Sequence, residues 1–288
     1  MFGLLANIFG YVLNFIYNFV GNYGIAIIIF TIILRLVLLP MNLKQQKTMK
    51  KSAKLQEKLK ELQDKYSNDS VRLSQEIQNL YKEEKLSPFS GCLTSILQLI
   101  IIISMFYLVA NPLTYMKHLP EEQISGYRTQ LEEMGAYASN YVEISIIRNI
   151  GPTDEAVNIN MDFLGLDLSD IPTENYSDPR VFIIPLLYVT SSIVSMKLSI
   201  SQMSKKKKDK SENAKKEDAK LVKVDEQKDQ LEMIESMNKS MRYAMPIMTL
   251  LVALIAPLGL ALYWFVSNLI MITERVMINK FVKDEEDE

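Results

Sequence analysis

The sequence predicts an all-α membrane protein. Five transmembrane helices surround a polar groove open to the cytoplasm, with a cytoplasmic helical hairpin and an N-terminal interfacial helix. Three observations lead to this reading: segregated hydropathy, alternating loop charge, and rows of polar residues inside the apolar runs. The averages alone, 288 residues with 48% hydrophobic, 23% charged and net charge −2, resemble a soluble protein. Charge and apolarity are not mixed, however. Residues 24–41 hold one charge, Arg35, and residues 91–111, 181–196 and 243–273 hold none. A bilayer core about 30 Å thick needs roughly 20 apolar helical residues, so a soluble enzyme with one large core is excluded.

Residues 1–20 are apolar and lack the basic start and small-residue cleavage site of a signal peptide. At helical period Phe2, Leu5, Phe9, Leu13, Ile16 and Val20 share one side. Asn7, Asn14 and Asn18 take another, with Gly3 and Gly10 near them. This suits a helix lying in the membrane interface; a further spanning helix turning at Gly21-Asn22-Tyr23-Gly24 is the alternative.

Loop charge then orients the chain, because Lys and Arg mark the cytoplasmic side. Residues 43–85 carry eleven basic and seven acidic residues; residues 112–179 carry three and twelve; residues 197–242 carry thirteen and nine. The last uncharged run, 31 residues from 243 to 273, would make a helix of about 46 Å, too long for one span. Pro257-Leu258-Gly259 breaks it into two helices. The expected order is therefore interfacial helix 1–22, first span 23–42, cytoplasmic hairpin 43–88, second span 89–111 and extracytoplasmic segment 112–179. A third span 180–198, charged cytoplasmic loop 199–241, fourth span 242–256, turn and fifth span 257–281, and acidic tail 282–288 complete it. The N-terminus is outside and the C-terminus cytoplasmic.

In the hairpin, Leu55, Leu59, Leu62 and Tyr66 recur at helical spacing, as do Leu73, Ile77 and Leu80. Ser67-Asn68-Asp69-Ser70 supplies a break with helix-capping residues. It reads as a contact surface or as a solvated spacer. Segment 112–179 shows no motif. The basic run Lys205–Lys208 in an irregular loop faces either anionic lipid headgroups or ribosomal RNA.

Covalent chemistry has no residues to carry it. One cysteine, Cys92, and one histidine, His118, cannot build a Cys/His or metal site, and no phosphate-binding loop or nucleophile elbow is present. No cofactor and no metal are expected. Arg35, by contrast, costs about 2.5–3.5 kcal/mol near the centre of a span on insertion scales. It either snorkels to the inner surface or serves a wet cavity. The other spans carry matching rows: Thr31 with Arg35, Thr94 with Gln98, Tyr188 with Ser191 or Ser192 and Ser195, Tyr263 with Ser267, and Trp264 with Asn268 and Met271. One such hydroxyl or amide is ordinary helix glue. Several rows around one arginine point to a wet, positively charged cavity.

These residues carry a resemblance. Tyr23-Gly24 through Thr31, Arg35 and Pro40, then Gln56-Glu57-Lys58, Ser74-Gln75-Glu76, Leu80-Tyr81-Lys82, Pro88 and Gly91-Cys92-Leu93 resemble the YidC/Oxa/Alb family of membrane protein insertases. So do Met245-Pro246, Pro257-Leu258-Gly259-Leu260 and Tyr263-Trp264 to Ser267-Asn268-Leu269. The likeness covers most of residues 21–112 and 180–281 and resembles a short bacterial form without a large extracytoplasmic domain. It implies a non-enzymatic insertase and chaperone in the bacterial plasma membrane. Its substrate-binding groove would hold Arg35, Thr31, Gln98, Ser191, Ser195, Tyr263, Trp264 and Asn268. The resemblance implies nascent membrane proteins as clients, delivered by the ribosome or targeting factors to the cytoplasmic loops, with the protein working either alone or beside the general translocation channel and in contact with the lipid bilayer. It implies no DNA. Clients would leave into lipid past Leu99, Ile102 and Met105. A small anion transporter or channel using Arg35, and a non-inserting assembly scaffold, are the competing functions.

Overall fold

The computed structural model describes residues 2–66, 69–83, 90–136, 140–210 and 248–284. It is mostly helical. The elements are α1 (Phe2–Val20), α2 (Tyr23–Lys65), α3 (Ser70–Glu83), α4 (Ser90–Ala110), α5 (Pro112–Tyr115), α6 (Glu121–Glu133), α7 (Val142–Asn149), β1 (Asp162–Phe163) and β2 (Leu166–Asp167). A 3₁₀ turn (Pro179–Phe182) leads into α8 (Ile183–Lys210); helix α9 (248–255) and α10 (Leu258–Asp284) follow. Most of the predicted charged loop, the start of the predicted fourth span and the end of the acidic tail lie outside the described residues.

Among the described residues, four helical stretches are long and apolar enough to cross a membrane: Phe2–Val20, Tyr23–Gln46, Pro179–Leu198 and Leu258–Met277. Ile96–Ala110 of α4 is a shorter apolar stretch. Their outward residues include Ile32, Ile33, Leu36, Val37, Leu186, Val194 and Leu269, all exposed, which suits lipid and not water. Helices outrun the predicted span limits. α2 continues through Pro40 into the charged stretch, and α8 continues to Lys210. Lys, Glu, Gln and Met are strong helix formers, so the backbone ladder does not stop where hydrophobicity does.

The described residues form two compact units. The first comprises the described parts of 1–38, 97–195 and 246–288; the second, those of 39–96 and 196–245. In the second unit Leu55 and Leu80 are buried, and Asp69 caps α3 by accepting a 3.0 Å bond from the Arg72 N–H.

The first unit holds a core that includes Leu13, Ile27, Phe30, Met105, Leu108, Leu113, Ile146, Leu168 and Ala261. Met105 therefore cannot line an exit surface, although Leu99 is exposed. Six residues of helix rotate a side chain by about 240°, which turns Met105 inward when Leu99 points out.

The segment expected to lack a motif, 112–179, is a folded cap. Glu143 on α7 reaches back to the start of α5, accepting from the Leu113 N–H at 2.7 Å, the Thr114 N–H at 3.0 Å and the Thr114 hydroxyl at 2.5 Å. One buried carboxylate thus satisfies the open N–H groups of a short helix. Arg148 donates to Ser169 at 3.2 Å and pairs with Asp170, whose backbone carbonyl in turn accepts from Leu258 N–H at 2.8 Å. Gly259 N–H donates to Leu168 O at 3.0 Å, and Thr173 N–H to Leu254 O at 3.1 Å. The turn between α9 and α10 is therefore held by cap backbone.

Burial pushes the Glu143 carboxyl above the ordinary carboxylate range, against the lowering pull of its three hydrogen bonds. A raised folded-state value means the native cap binds its proton more tightly than the unfolded chain. Stability is then greatest below the ordinary carboxylate value and falls as pH rises through the raised one. Thermal unfolding in nanodiscs between about pH 4 and 7 should show that fall, and Glu143→Gln should flatten it. Equal slopes in the two proteins would contradict the assignment.

Candidate functional site

The polar rows of the spans meet inside the first unit. Arg35 lies in the apolar run of α2, only 8% exposed. Its Nε donates to Ser267 Oγ on α10 at 3.1 Å, and Nη2 donates to the same oxygen. Ser267 is itself buried, and Tyr263, one turn earlier on α10, bonds to it within range of the Arg35 charge. One hydroxyl thus receives two of the five N–H donors of the guanidinium. Nη1 has no hydrogen-bond partner among the described residues. It is also absent from the polar atoms sealed in without a partner, which are the Tyr23 hydroxyl and His118 Nε2. The cation is held by its inner edge, through Nε and Nη2.

The row continues toward α8. Asn268 Nδ2 donates to Ser192 Oγ at 2.7 Å and to Ser191 Oγ at 3.4 Å. Trp264 packs against Tyr188, ring centroids 5.4 Å apart. Two turns beyond Asn268, Arg275 donates to the Ser195 carbonyl at 3.0 Å and to Ser195 Oγ at 3.4 Å. Arg275 lies within electrostatic range of both Arg35 and the buried Glu274. Two guanidinium groups against one buried carboxylate leave the cluster net positive.

Six of the eight residues selected from the sequence meet here: Arg35, Tyr263, Trp264, Asn268, Ser191 and Ser195. Thr31 sits one turn before Arg35, fully buried, but its hydroxyl is spent on the Ile27 carbonyl at 2.6 Å within its own helix. Gln98 on α4 is half-buried, and no hydrogen bond ties it to the cluster among the described residues. The side chain of Thr94 lies outside the described ones. Sequence reasoning passed over Arg275 and Glu274, although Arg275 stands seven residues after Asn268, on the same helical face. Ser267, the partner of Arg35, was legible in its row with Tyr263 yet not chosen.

Among the described residues no group of three or more His, Cys, Asp or Glu converges as a metal site. The cluster offers hydrogen-bond donors and positive charge, the equipment for holding an anionic or polar group in an apolar surrounding.

The model of the 60Kd inner membrane protein family matches residues 15–286. The chain belongs to that family. Its relatives include the membrane protein insertase YidC of Treponema denticola, 28% identical over 223 residues, which is 77% of this chain and 28% of that protein. The membrane protein insertase YidC of Chlorobaculum parvum is 36% identical over 59 residues, 20% of this chain and 10% of that protein. That of Saccharophagus degradans is 37% identical over 60 residues, 21% and 11% of the respective chains. The aligned region thus spans less than a third of the curated relatives it matches. As a member of the 60Kd inner membrane protein family with several apolar helices, the chain is a multi-pass bacterial membrane protein.

Proposed function

We propose that this protein is a membrane protein insertase: it carries client transmembrane segments into the bilayer through a positively charged polar groove, without making or breaking a bond. The observation that carries the reading is Arg35, buried on a lipid-facing helix, fastened by Ser267 along one edge and with Nη1 unbonded among the described residues. A charge placed so expensively, with donating capacity in reserve, suits transient capture of acidic or polar tail residues. The names of the relatives agree with it.

Five spans alternate across the membrane in this reading. Support comes from the cap, which adjoins the start of α2, the end of α4, the start of α8, the end of α9 and the start of α10. Three helices leave the cap and two arrive, as the loop charges require for a cap outside and a C-terminus inside. The helix α1 then lies along the outer interface. Its contacts with the cap run along its length: Gly3 and Gly10 meet Tyr115, Tyr11 stacks on His118, and the Tyr17 hydroxyl accepts from Asn160 N–H. A crossing helix would meet the cap at one end only.

A client's polar tail enters the groove, where Arg35 offers charge and the serine and asparagine rows offer hydrogen bonds, lowering the cost of carrying backbone across lipid. The helical hairpin of α2 and α3 receives clients from the ribosome or targeting factors, and insertion proceeds either by this protein alone or beside the general translocation channel. Leu99 and Ile102 face the lateral exit. Purified protein reconstituted into liposomes should confer protease protection on a small single-span client, above protein-free liposomes. Protection equal to that of empty liposomes, with a client validated on another insertase, would overturn autonomous insertion.

A further inference from the structure

The β1–β2 hairpin pairs Asp162 with Asp167 and Phe163 with Leu166, leaving a two-residue turn, Leu164-Gly165. Both residues have positive φ, 55° and 76°, the signature of a primed hairpin turn. Such turns favour Asn or Asp followed by Gly, because a branched apolar side chain gains nothing in the left-handed region and has no short polar group to bond locally. Leucine stands there instead, 89% exposed, the most exposed of the large hydrophobic residues described. Neither local conformation nor packing accounts for it.

The location of the turn does. Asn22 Nδ2 donates to Asp162 O at 2.6 Å, Tyr23 N–H donates to Asn160 O at 3.0 Å, and Asn160 Nδ2 donates to Gly21 O at 3.1 Å. The Phe163 ring lies against the Cα of Gly24, so close that a Cβ there would stand 2.4 Å from it. The hairpin is thereby fixed to the first turn of α2, where the membrane span begins. Ile25, in that same turn, is already exposed and apolar. A second anchor follows at once, since Leu168 and Asp170 hold the start of α10, the first residues of another span. A hairpin clamped to the ends of two spans lies at the level where hydrocarbon gives way to headgroups. Phe15 and Phe19, 74% and 88% exposed, approach the Gly21-Asn22 turn from α1.

We propose that Leu164 is a membrane anchor: the tip of the β1–β2 turn inserts into the outer interface of the bilayer and holds the folded cap against the lipid surface. Lipid is the partner because the turn is pinned where lipid must be, and a lone leucine projecting from a rigid turn suits an acyl-chain boundary. The inference requires that α2 spans the membrane with its N-terminal end outside, and it stands or falls independently of the insertase reading.

The test uses the full chain with Cys92→Ser, carrying single cysteines at Leu164, at Leu36 on the lipid-facing side of α2, or at Gln130 on the charged cap helix α6. Each is labelled with an environment-sensitive fluorophore and reconstituted into phosphatidylcholine vesicles containing lipid with a nitroxide high on the acyl chain. Leu164 makes no packing contact that a cysteine would remove, so folding is preserved. The label at Leu164 should emit to the blue of that at Gln130 and be quenched roughly threefold more strongly. Water-like emission at Leu164 with no quenching, alongside a quenched Leu36, would overturn the anchor. An unquenched Leu36 would overturn its premise, the membrane placement of α2, and the anchor with it.

Discussion

Arg35→Glu cuts client insertion in reconstituted liposomes by about tenfold to a hundredfold, the worth of a charge-assisted hydrogen bond of about 1.5–3 kcal/mol. The substitution removes both bonds to Ser267 and places a carboxylate where an acidic client tail must sit. Arg275 remains nearby, so the cluster keeps one cation and the folded spans keep their Asn268–Ser192 and Arg275–Ser195 ties. Insertion is compared at equal amounts of folded protein, so that a loss persisting in that comparison is one of client binding and not of assembly. Arg35→Lys should fall between, because an ammonium keeps the charge but loses the planar fork that reaches Ser267 with two N–H groups at once. Wild-type insertion by Arg35→Glu would leave the positive charge of the cluster without a role.

Gly10→Ala destabilises the protein by about 3 kcal/mol, an overpacking penalty at the upper end of the usual range. A Cβ on Gly10 would stand 1.7 Å from the carbonyl oxygen of Tyr115 and 2.5 Å from its carbon. The obstacle is backbone, so no side-chain rotation relieves it, and α1 must move away from α5. Because α1 meets the cap along its length, that movement also strains the Tyr11–His118 stack and the Tyr17–Asn160 bond. Limited proteolysis should release α1 from the variant under conditions that leave the wild type intact. Ala6 is buried beside it with a Cβ already in place, so Ala6→Gly is the control and should not release α1. Equal protease resistance of Gly10→Ala and wild type would show that α1 is not held by that contact.

Much of the candidate site was readable from spacing. Tyr263 with Ser267, Trp264 with Asn268, and Ser191 with Ser195 share helix faces by their separations of four, and each pair lies near the cluster. Which face turns inward, and what each hydroxyl does there, is a matter of tertiary packing. Thr31 and Arg35 sit four apart on the buried side of α2, yet the threonine closes a bond within its helix while the arginine crosses to α10. Gln98 has the right spacing and the right residue type but no tie to the cluster among the described residues. Arg275 was overlooked because it follows the end of the uncharged run, where a cation reads as a solvated flank.

Hydropathy and charge, which are sums along the chain, sufficed for the membrane class, the helical content and the turn at Pro257: each depends on a local run of residues and a known bilayer thickness. The folded cap was invisible to them. Its stability rests on a carboxylate and a guanidinium acting over long sequence separations, Glu143 on the start of α5 and Arg148 on Asp170, and on a glycine whose purpose is the backbone it lets approach. No periodicity marks such contacts, because each joins two segments whose meeting is decided by the chain as a whole. The polar cluster falls between these limits: helix period lines up its members, and only the packing of α2, α8 and α10 joins them into one positively charged site.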